Sequence, residues 1–216
     1  MTRSRPPRPG LCLAAALLLG VGLACLHPSP AVVYHTLQPM PPLPPLPPVA
    51  AGSAAIGSAA VPALEVLPVR LPDLLRRPQM VLAEGGGDAL GLSETHRWGN
   101  PLEQDMQRVL VADLGLLRPG GPVVPSPDGA RVAAALRLEV TVQSCVGRPG
   151  QGLVLQATWM VTRTGQDRAL LFRRTELREP LDPPGPDGLA AAHSRILAAL
   201  ARQIATALAE LPASQP

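Results

Sequence analysis

The residue whose surroundings most clearly indicate chemistry is Cys25, in the stretch "VGLACLHPSP". The first eight residues hold three arginines and no acid, and residues 10–24 are uncharged and almost entirely apolar. A basic start, a short apolar run and small residues before a cleavage site are typical of a secretory signal peptide. Residues 11–26 are too short to cross a bilayer comfortably, because a spanning helix takes about 20 apolar residues. We therefore predict a signal peptide over residues 1–24.

The four residues Gly22-Leu23-Ala24-Cys25 resemble the lipobox of bacterial lipoproteins, in which the cysteine carries the lipid and becomes the mature N-terminus. Ala24 fits the position before the cut, whereas Gly22 stands where an aliphatic residue is usual. The alternative is an ordinary secretory signal in which Cys25 has no role. We predict lipidation of Cys25. Because Leu26 replaces the aspartate that retains lipoproteins in the inner membrane, we expect an outer-membrane location facing the periplasm.

Other residues that could do chemistry stand without suitable partners nearby in the sequence. The stretch Ser93-Glu94-Thr95-His96 holds plausible residue types, but as neighbours with no catalytic motif around them. Cys145 is the one further cysteine of the predicted mature chain, and a single thiol forms no internal disulfide. The histidines lack metal-ligand spacing, and each is expected at the surface or half-buried: His27, His35, His96 and His193. We predict no catalytic residue, no metal and no cofactor, and hence not an enzyme.

The charge balance argues against a nucleic-acid partner. All 19 basic residues are arginines, and the chain carries 16 acidic residues. Residues 1–24 hold three of the arginines and no acid, so the predicted mature chain is formally neutral. It has no basic stripe and few aromatic residues on which bases could stack.

A proline-rich stretch separates Cys25 from the predicted folded region. Residues 25–62 contain the run "PPLPPLPP", which favours polyproline II and is typical of a tether or a long loop. Just before this run, "AVVYHTL" at residues 31–37 has strand character. It could be the first strand, which would make the proline run an insertion. We place the folded domain at residues 63–212, a length that suffices for one hydrophobic core.

The first half of this domain contains a short strand, a hairpin and a helix. Leu64, Val66 and Val69 predict a strand that Pro68 either ends early or places at a sheet edge. A hairpin follows, with residues 84–88 as its turn. A helix is predicted with Asn100 as N-cap, Pro101 as first helical residue and Glu103 closing a capping box; it ends at residues 119–122.

The second half alternates apolar and polar residues, as antiparallel strands with one buried face do. Residues 132–143, the stretch "LVLQATWMV" and the stretch "RALLFRRTEL" are joined by tight turns, which predicts a three-stranded meander. Residues 189–211 form a second predicted helix with an inward apolar stripe. The fold class we predict is α+β: a single domain with a largely antiparallel sheet and two main helices packed on one face.

These elements, in this order, resemble the ABC-type transport auxiliary lipoproteins, the PqiC/YmbA-like family of MCE-type lipid transport systems. The resemblance is carried by "YHTL" at 34–37, "VLPVRLPDLLRRPQMV" at 66–81, "RWGNPLEQDMQRVLVADL" at 97–114, "LRLEVTVQSCVGR" at 136–148, Trp159 and the terminal helix. It covers nearly all of the predicted mature chain. Two departures are Leu75, where the family often has tyrosine, and Ser144-Cys145, where it often has phenylalanine.

The resemblance implies a non-catalytic periplasmic component of a transenvelope lipid transporter. Such a protein would dock on the MCE-domain protein and hold it at the outer membrane, and the family implies ring-like homo-oligomers. The alternative is a periplasmic protein that carries a lipid in a pocket between helices and sheet. Trp98 and Trp159 are expected in the core. As partner contacts we select arginines expected to be exposed in irregular segments: Arg76, Arg77 and Arg97.

Overall fold

Eight strands and two long helices build the part of the chain that the computed structural model describes, which comprises residues 30–41, 61–84, 89–148 and 150–211. The strands are Val33–His35 (β1), Leu64–Val66 (β2), Gln79–Ala83 (β3), Leu90–Trp98 (β4), Val123–Pro125 (β5), Leu136–Arg148 (β6), Gly152–Arg163 (β7) and Ala169–Glu179 (β8). The helices are Leu102–Leu117 (α1) and Pro186–Ala209 (α2), with short 3-10 helices at Asp73–Arg76 and Asp128–Val132. The predicted signal peptide, Cys25 and most of the proline-rich stretch lie outside the described residues.

The sheet is organised around the long strand β6. On one side, β6, β7 and β8 form the predicted antiparallel meander. On the other side, β6 pairs in parallel with β2 near its start and with β3 near its end. The β3–β4 hairpin is confirmed by its antiparallel pairing. The long ladders are antiparallel, so the predicted α+β class with a largely antiparallel sheet is confirmed, although the short strands make the sheet mixed.

The short strands decide two of the alternatives that the sequence leaves open. β2 lies between β5 and β6, so Pro68 ends this strand early and does not mark a sheet edge. β1 pairs in parallel with β4, with Val33 opposite His96. The segment at residues 31–37 therefore contributes the first strand. The residues between β1 and β2, which include the proline-rich run, connect two strands of one sheet.

The core lies between the sheet and the two helices. On β6 the predicted inward residues Leu138, Val140 and Val142 are buried. Trp98 and Trp159 belong to the same cluster, as predicted. The inward stripe of α2 meets this surface through Ile196, Leu197, Leu200 and Ile204, all buried. Within the described residues, no helix is long and apolar enough to span a membrane.

The predicted start of α1 is wrong. The helix begins at Leu102, and Pro101 is the N-cap, with φ −52° and ψ 125° and no side-chain capping bond. The carbonyl of Pro101 accepts hydrogen bonds from the backbone N–H groups of Gln104 (3.0 Å) and Asp105 (3.1 Å). Asn100 instead donates its side-chain amide to Asp105 Oδ1 at 3.3 Å. No capping box with Glu103 forms, because Asn100 is directed at a buried carboxylate.

Other boundaries shift by a few residues for local reasons. The strand predicted from Val132 begins at Leu136, because Asp128–Val132 form a 3-10 helix whose C-cap, Ala133, has a φ of 47°. α2 begins at Pro186, three residues earlier than predicted, since proline is well suited to the first helical position. Strand β5 was not predicted, because its three residues lie among prolines and glycines, a composition typical of a loop.

Two carboxylates of α1 hold the backbone that follows β1. Asp105 Oδ2 accepts the N–H of Leu37 at 3.1 Å, and Asp113 Oδ1 accepts the N–H of Met40 at 2.7 Å. Arg108 donates to the carbonyl of Leu37 at 2.6 Å and to Asp105 Oδ1 at 3.1 Å. Burial raises the pKa of Asp113, while the Met40 N–H and the charge of Arg202 oppose that rise. The segment after β1 is thus hydrogen-bonded to α1 although it belongs to no strand.

We expect Asp105→Ala to lower the free energy of unfolding by about 3 kcal/mol, because it leaves the buried N–H of Leu37 without an acceptor and removes the partner of Arg108. Urea denaturation of the purified protein measures this loss. Asp128→Ala is the matched control, since Asp128 is a half-buried acid that also pairs with an arginine three residues on. It should cost no more than about 0.5 kcal/mol. Equal costs for the two variants would contradict the anchoring role of Asp105.

Candidate functional site

Arg76 and Arg77 are exposed, as predicted, and lie at the end of the first 3-10 helix. Arg76 ends the first 3-10 helix and pairs with Asp73 at 3.4 Å. Arg77 follows with extended backbone, and both residues are exposed. Charged groups here are accessible to a partner.

Arg97 differs from its prediction. It lies within β4, between Tyr34 of β1 and Gln79 of β3, and it is half-buried. The expectation of an exposed residue in an irregular segment is therefore wrong for Arg97. The physical reason is the pairing of β1 with β4, which covers this end of the strand.

A cleft of about 590 Å³ lies between α2 and β8, and the sequence analysis missed it. Its lining combines apolar surface with charged and polar groups and comprises Trp159, Arg173, Arg174, Thr175, Glu176, Arg202, Gln203, Thr206, Ala207 and Glu210. The Trp159 indole N–H donates to Thr175 Oγ1 at 3.1 Å, which fixes the ring at the base of the lining. The sequence feature that could have indicated this cleft is the adjacent pair Arg173-Arg174 on a predicted strand. Only the packing of α2 brings Arg202 to the same cleft.

The cleft has an excess of positive charge. Of its two acids, Glu176 accepts hydrogen bonds from Arg178 at 2.7 Å and from Gln156 at 3.2 Å, and both partners lie outside the lining. The hydrogen bond from Arg178 is the main cause that lowers the pKa of Glu176, followed by the one from Gln156. Arg173 shares the inward face of β8 with Thr175, whereas Arg174 and Glu176 alternate with them and lie on the other face. On the side of α2, Arg173 and Arg202 therefore stand against one acid, Glu210. This arrangement suits a carboxylate or another anionic group of a binding partner.

Cys145 and His193 form a pair whose atom types resemble a nucleophile and its base. Cys145 Sγ lies 3.4 Å from His193 Nε2, and both side chains are buried. Burial raises the pKa of the thiol to about 12 and lowers the pKa of His193 to about 4. The thiol is therefore protonated and the imidazole neutral near pH 7, whereas nucleophilic catalysis needs the thiolate. The pair serves core packing.

The expectation that His193 would be at the surface or half-buried is wrong. His193 lies on the inward stripe of α2, one turn after Leu189, whose carbonyl is 2.9 Å from His193 Nδ1. Trp98 of β4 packs edge-on to the imidazole, with the ring centroids 5.1 Å apart. Helical spacing places the histidine in the core, where its ring nitrogens have hydrogen-bonding partners in Leu189 and Cys145.

His35 and His96 are half-buried, as expected, but the structure brings them together. His35 Nε2 and His96 Nδ1 share a hydrogen bond of 2.9 Å, and the two rings stack with centroids 5.2 Å apart. Asp187, in the first turn of α2, places Oδ1 3.8 Å from His35 Nε2. Burial lowers the pKa of His35; the charge of Asp187 opposes that decrease, and His96 adds to it. Sequence spacing could not show this group, because its members come from three distant segments.

We expect His193 to make the stability of the protein depend on pH below neutrality. Its pKa is lowered from 6.5 to about 4 in the folded protein, so the unfolded chain takes up the proton first as the pH falls. The stabilisation is complete above pH 6.5 and is lost progressively towards pH 4, by roughly 3 kcal/mol. Urea denaturation between pH 4 and 7 measures the slope of the free energy of unfolding against pH. In His193→Gln, the contribution of this histidine to the slope should be absent. His27→Gln is the control. Identical slopes in His193→Gln and the unsubstituted protein would contradict the assignment.

Comparison with solved structures supports the fold. A crystal structure described as an uncharacterised protein matches with a TM-score of 0.65 and 23% identity, covering 83% of this chain and 99% of its own. A crystal structure of a protein from Xanthomonas campestris matches with a TM-score of 0.60 and 14% identity, covering 83% of this chain and 95% of its own. At these identities the likeness shows the fold alone. Comparison with curated proteins gave no match.

The sequence pattern of one family matches residues 45–205, which is more than half of the chain. That range contains α1, all the strands except β1, and all but the last four residues of α2. The family is described as the ABC-type transport auxiliary lipoprotein component. The resemblance seen in the sequence is thereby confirmed, and the chain belongs to the family of ABC-type transport auxiliary lipoproteins.

Proposed function

We propose that the protein is a non-catalytic periplasmic component of an MCE-type intermembrane lipid transport complex, anchored to the outer membrane through a lipid on Cys25. Membership of the transport auxiliary lipoprotein family supports a role beside a transporter. The observation that carries the anchored arrangement is the place of β1, because Val33 stands only eight positions after Cys25 in the sequence.

The short connection to Cys25 limits how far the domain reaches. Residues 26–32 span at most about 25 Å when fully extended. The proline-rich run comes after β1, so it is a loop of the domain in this proposal and adds nothing to that reach. A lipid on Cys25 therefore holds the folded domain close to the membrane surface. Confinement of this kind raises the local concentration of any docking surface for a partner at the same membrane.

The docking surface in this proposal consists of exposed arginines. The cleft between α2 and β8 is the first candidate, because a concave surface brings Arg173 of β8 and Arg202 of α2 to one place. Arg76 and Arg77 on the exposed turn are the second candidate. Guanidinium groups bind carboxylates through paired hydrogen bonds, which suits acidic side chains of the MCE-domain protein. Arg97 lies half-buried in β4 and is a weaker candidate.

The filled interior supports this role over that of a lipid carrier. Between helices and sheet, Leu138, Trp159, Leu200 and Ile204 are all at most 3% exposed and belong to one cluster. The cleft carries three arginines and two acids among the residues that line it, whereas an acyl chain needs a pocket without charges. A homo-oligomer is part of the proposal, since β8 is an edge strand with Phe172 61% exposed, a surface that a second copy could cover.

Replacement of the predicted lipid attachment site tests the anchor. Cys25→Ser should give a protein that lacks the acyl mass and leaves the outer-membrane fraction, because the thiol that accepts the lipid is gone. Intact mass and membrane fractionation measure both effects. Cys12→Ser, within the predicted signal peptide, is the matched control and should change neither. An outer-membrane product of unchanged acyl mass from Cys25→Ser would contradict the proposal.

Charge reversal tests the docking surface. We expect Arg173→Glu with Arg202→Glu to reduce recovery of the MCE-domain partner from envelope membranes about tenfold, because like charges then face the partner's carboxylates. Arg76→Glu with Arg77→Glu should reduce it if the turn is also in contact.

Arg131→Glu is the matched control, since Arg131 is exposed and lies in the second 3-10 helix, outside both surfaces. Circular dichroism confirms that each variant is folded. Undiminished recovery by both double variants would contradict docking through these arginines.

A further inference from the structure

Three side chains from distant parts of the chain direct donor atoms at one small volume. The donors are His35 Nε2, His96 Nδ1 and a carboxylate oxygen of Asp187, and they lie within 4.8 Å of one another. Two imidazoles and a carboxylate are a donor set that borderline divalent transition metals bind. The group is unrelated to the arginine surfaces described above.

The two separations measured from His35 Nε2 are close to those of metal coordination. Ligand atoms of a tetrahedral zinc ion lie about 3.4 Å apart, given bonds of about 2.05 Å. The His35–His96 separation is 2.9 Å and the His35–Asp187 separation is 3.8 Å, so each differs from that spacing by about half an ångström. The Asp187 side chain is 72% exposed, which leaves it room to adjust and leaves a side of the group open to water.

The register of the sheet places the two histidines together. β1 and β4 run parallel with Val33 opposite His96 and His35 opposite Trp98. Residues two positions apart on a strand share a face, so both imidazoles lie on the face of the buried Trp98, which packs against α2. The first turn of α2 then supplies Asp187. Strand pairing and helix packing thus fix the positions of all three donors.

We propose that His35, His96 and Asp187 bind a divalent transition-metal ion, with Zn²⁺ as the ion that fits them best. The ion links β1 to β4 and to the start of α2, and water completes its coordination. The ion fastens the first strand, whose three residues pair with a single neighbour, to the rest of the domain.

The test uses the full mature chain without an affinity tag, stripped with a chelator and returned to metal-free buffer at neutral pH. Calorimetric titration with Zn²⁺ should show one ion per chain, and Co²⁺ should give visible absorption bands. Zn²⁺ should raise the midpoint of thermal unfolding, because an ion that binds only the folded state stabilises it by mass action. Mg²⁺ should do neither, since it prefers oxygen ligands.

Variants assign the binding to these residues. Removing a residue that hydrogen-bonds to a metal ligand lowers metal affinity about 10–100-fold. Removing a ligand itself, as in His96→Gln, should therefore weaken Zn²⁺ binding by about 100-fold or more. Asp187→Asn, at an exposed position, should weaken binding without unfolding the domain. His27→Gln and Asp167→Asn are the matched controls and should bind as the unsubstituted protein does.

Either of two results would overturn the proposal. One is an unsubstituted protein whose unfolding midpoint and titration show no response to Zn²⁺ or Co²⁺. The other is unchanged affinity in both His96→Gln and Asp187→Asn, which would place the ion elsewhere. If His96→Gln does not fold, the Zn²⁺ affinity of Asp187→Asn alone decides, and an unchanged affinity would overturn the proposal.

Discussion

The structure depends on how the backbone after β1 obtains hydrogen bonds. A buried amide without a partner costs about as much as a whole hydrogen bond contributes, and residues 37–40 belong to no strand that could supply partners. Asp105 and Asp113 of α1 supply them through their carboxylates. Burying two acids is unfavourable in itself, and the raised pKa of Asp113 reflects that cost. These hydrogen bonds help to hold β1 on the sheet, although β2, the strand that follows it in the sequence, lies beyond the proline-rich run.

Several functional features follow from the position of β1. Its pairing with β4 covers Arg97 and brings His35 against His96. It also means that the folded domain begins soon after Cys25, so that a lipid on that residue would keep the domain near a membrane. Because β1 has three residues and a single neighbouring strand, its attachment rests on the contacts of the following segment with α1 and of His35 with the start of α2.

The side chains that could react or bind are divided between the interior and the surface. Cys145 and His193 touch in the core, but burial keeps the thiol protonated and the imidazole neutral, so their proximity produces packing and not reactivity. The arginines of the α2–β8 cleft are accessible, and the charge of one of the acids among them is balanced from outside the lining. In the proposed function, recognition of a partner therefore depends on the surface charges, and the core supports the elements that carry them.

The sequence by itself determined those features whose cause is local. The alternation of β6 and β7, the apolar stripe of α2, the burial of both tryptophans and the β3–β4 hairpin were predicted and are confirmed. Each rests on a periodicity of 2 or 3.6 residues, which is visible in a short window. Features with long-range causes were decided by the tertiary structure alone. Strand β5 takes its hydrogen bonds from β2, Asn100 is drawn from its capping position by Asp105, and His35 meets His96 across 61 residues of chain. No local pattern records such contacts, because they exist only once the sheet has paired and the helices have packed on it.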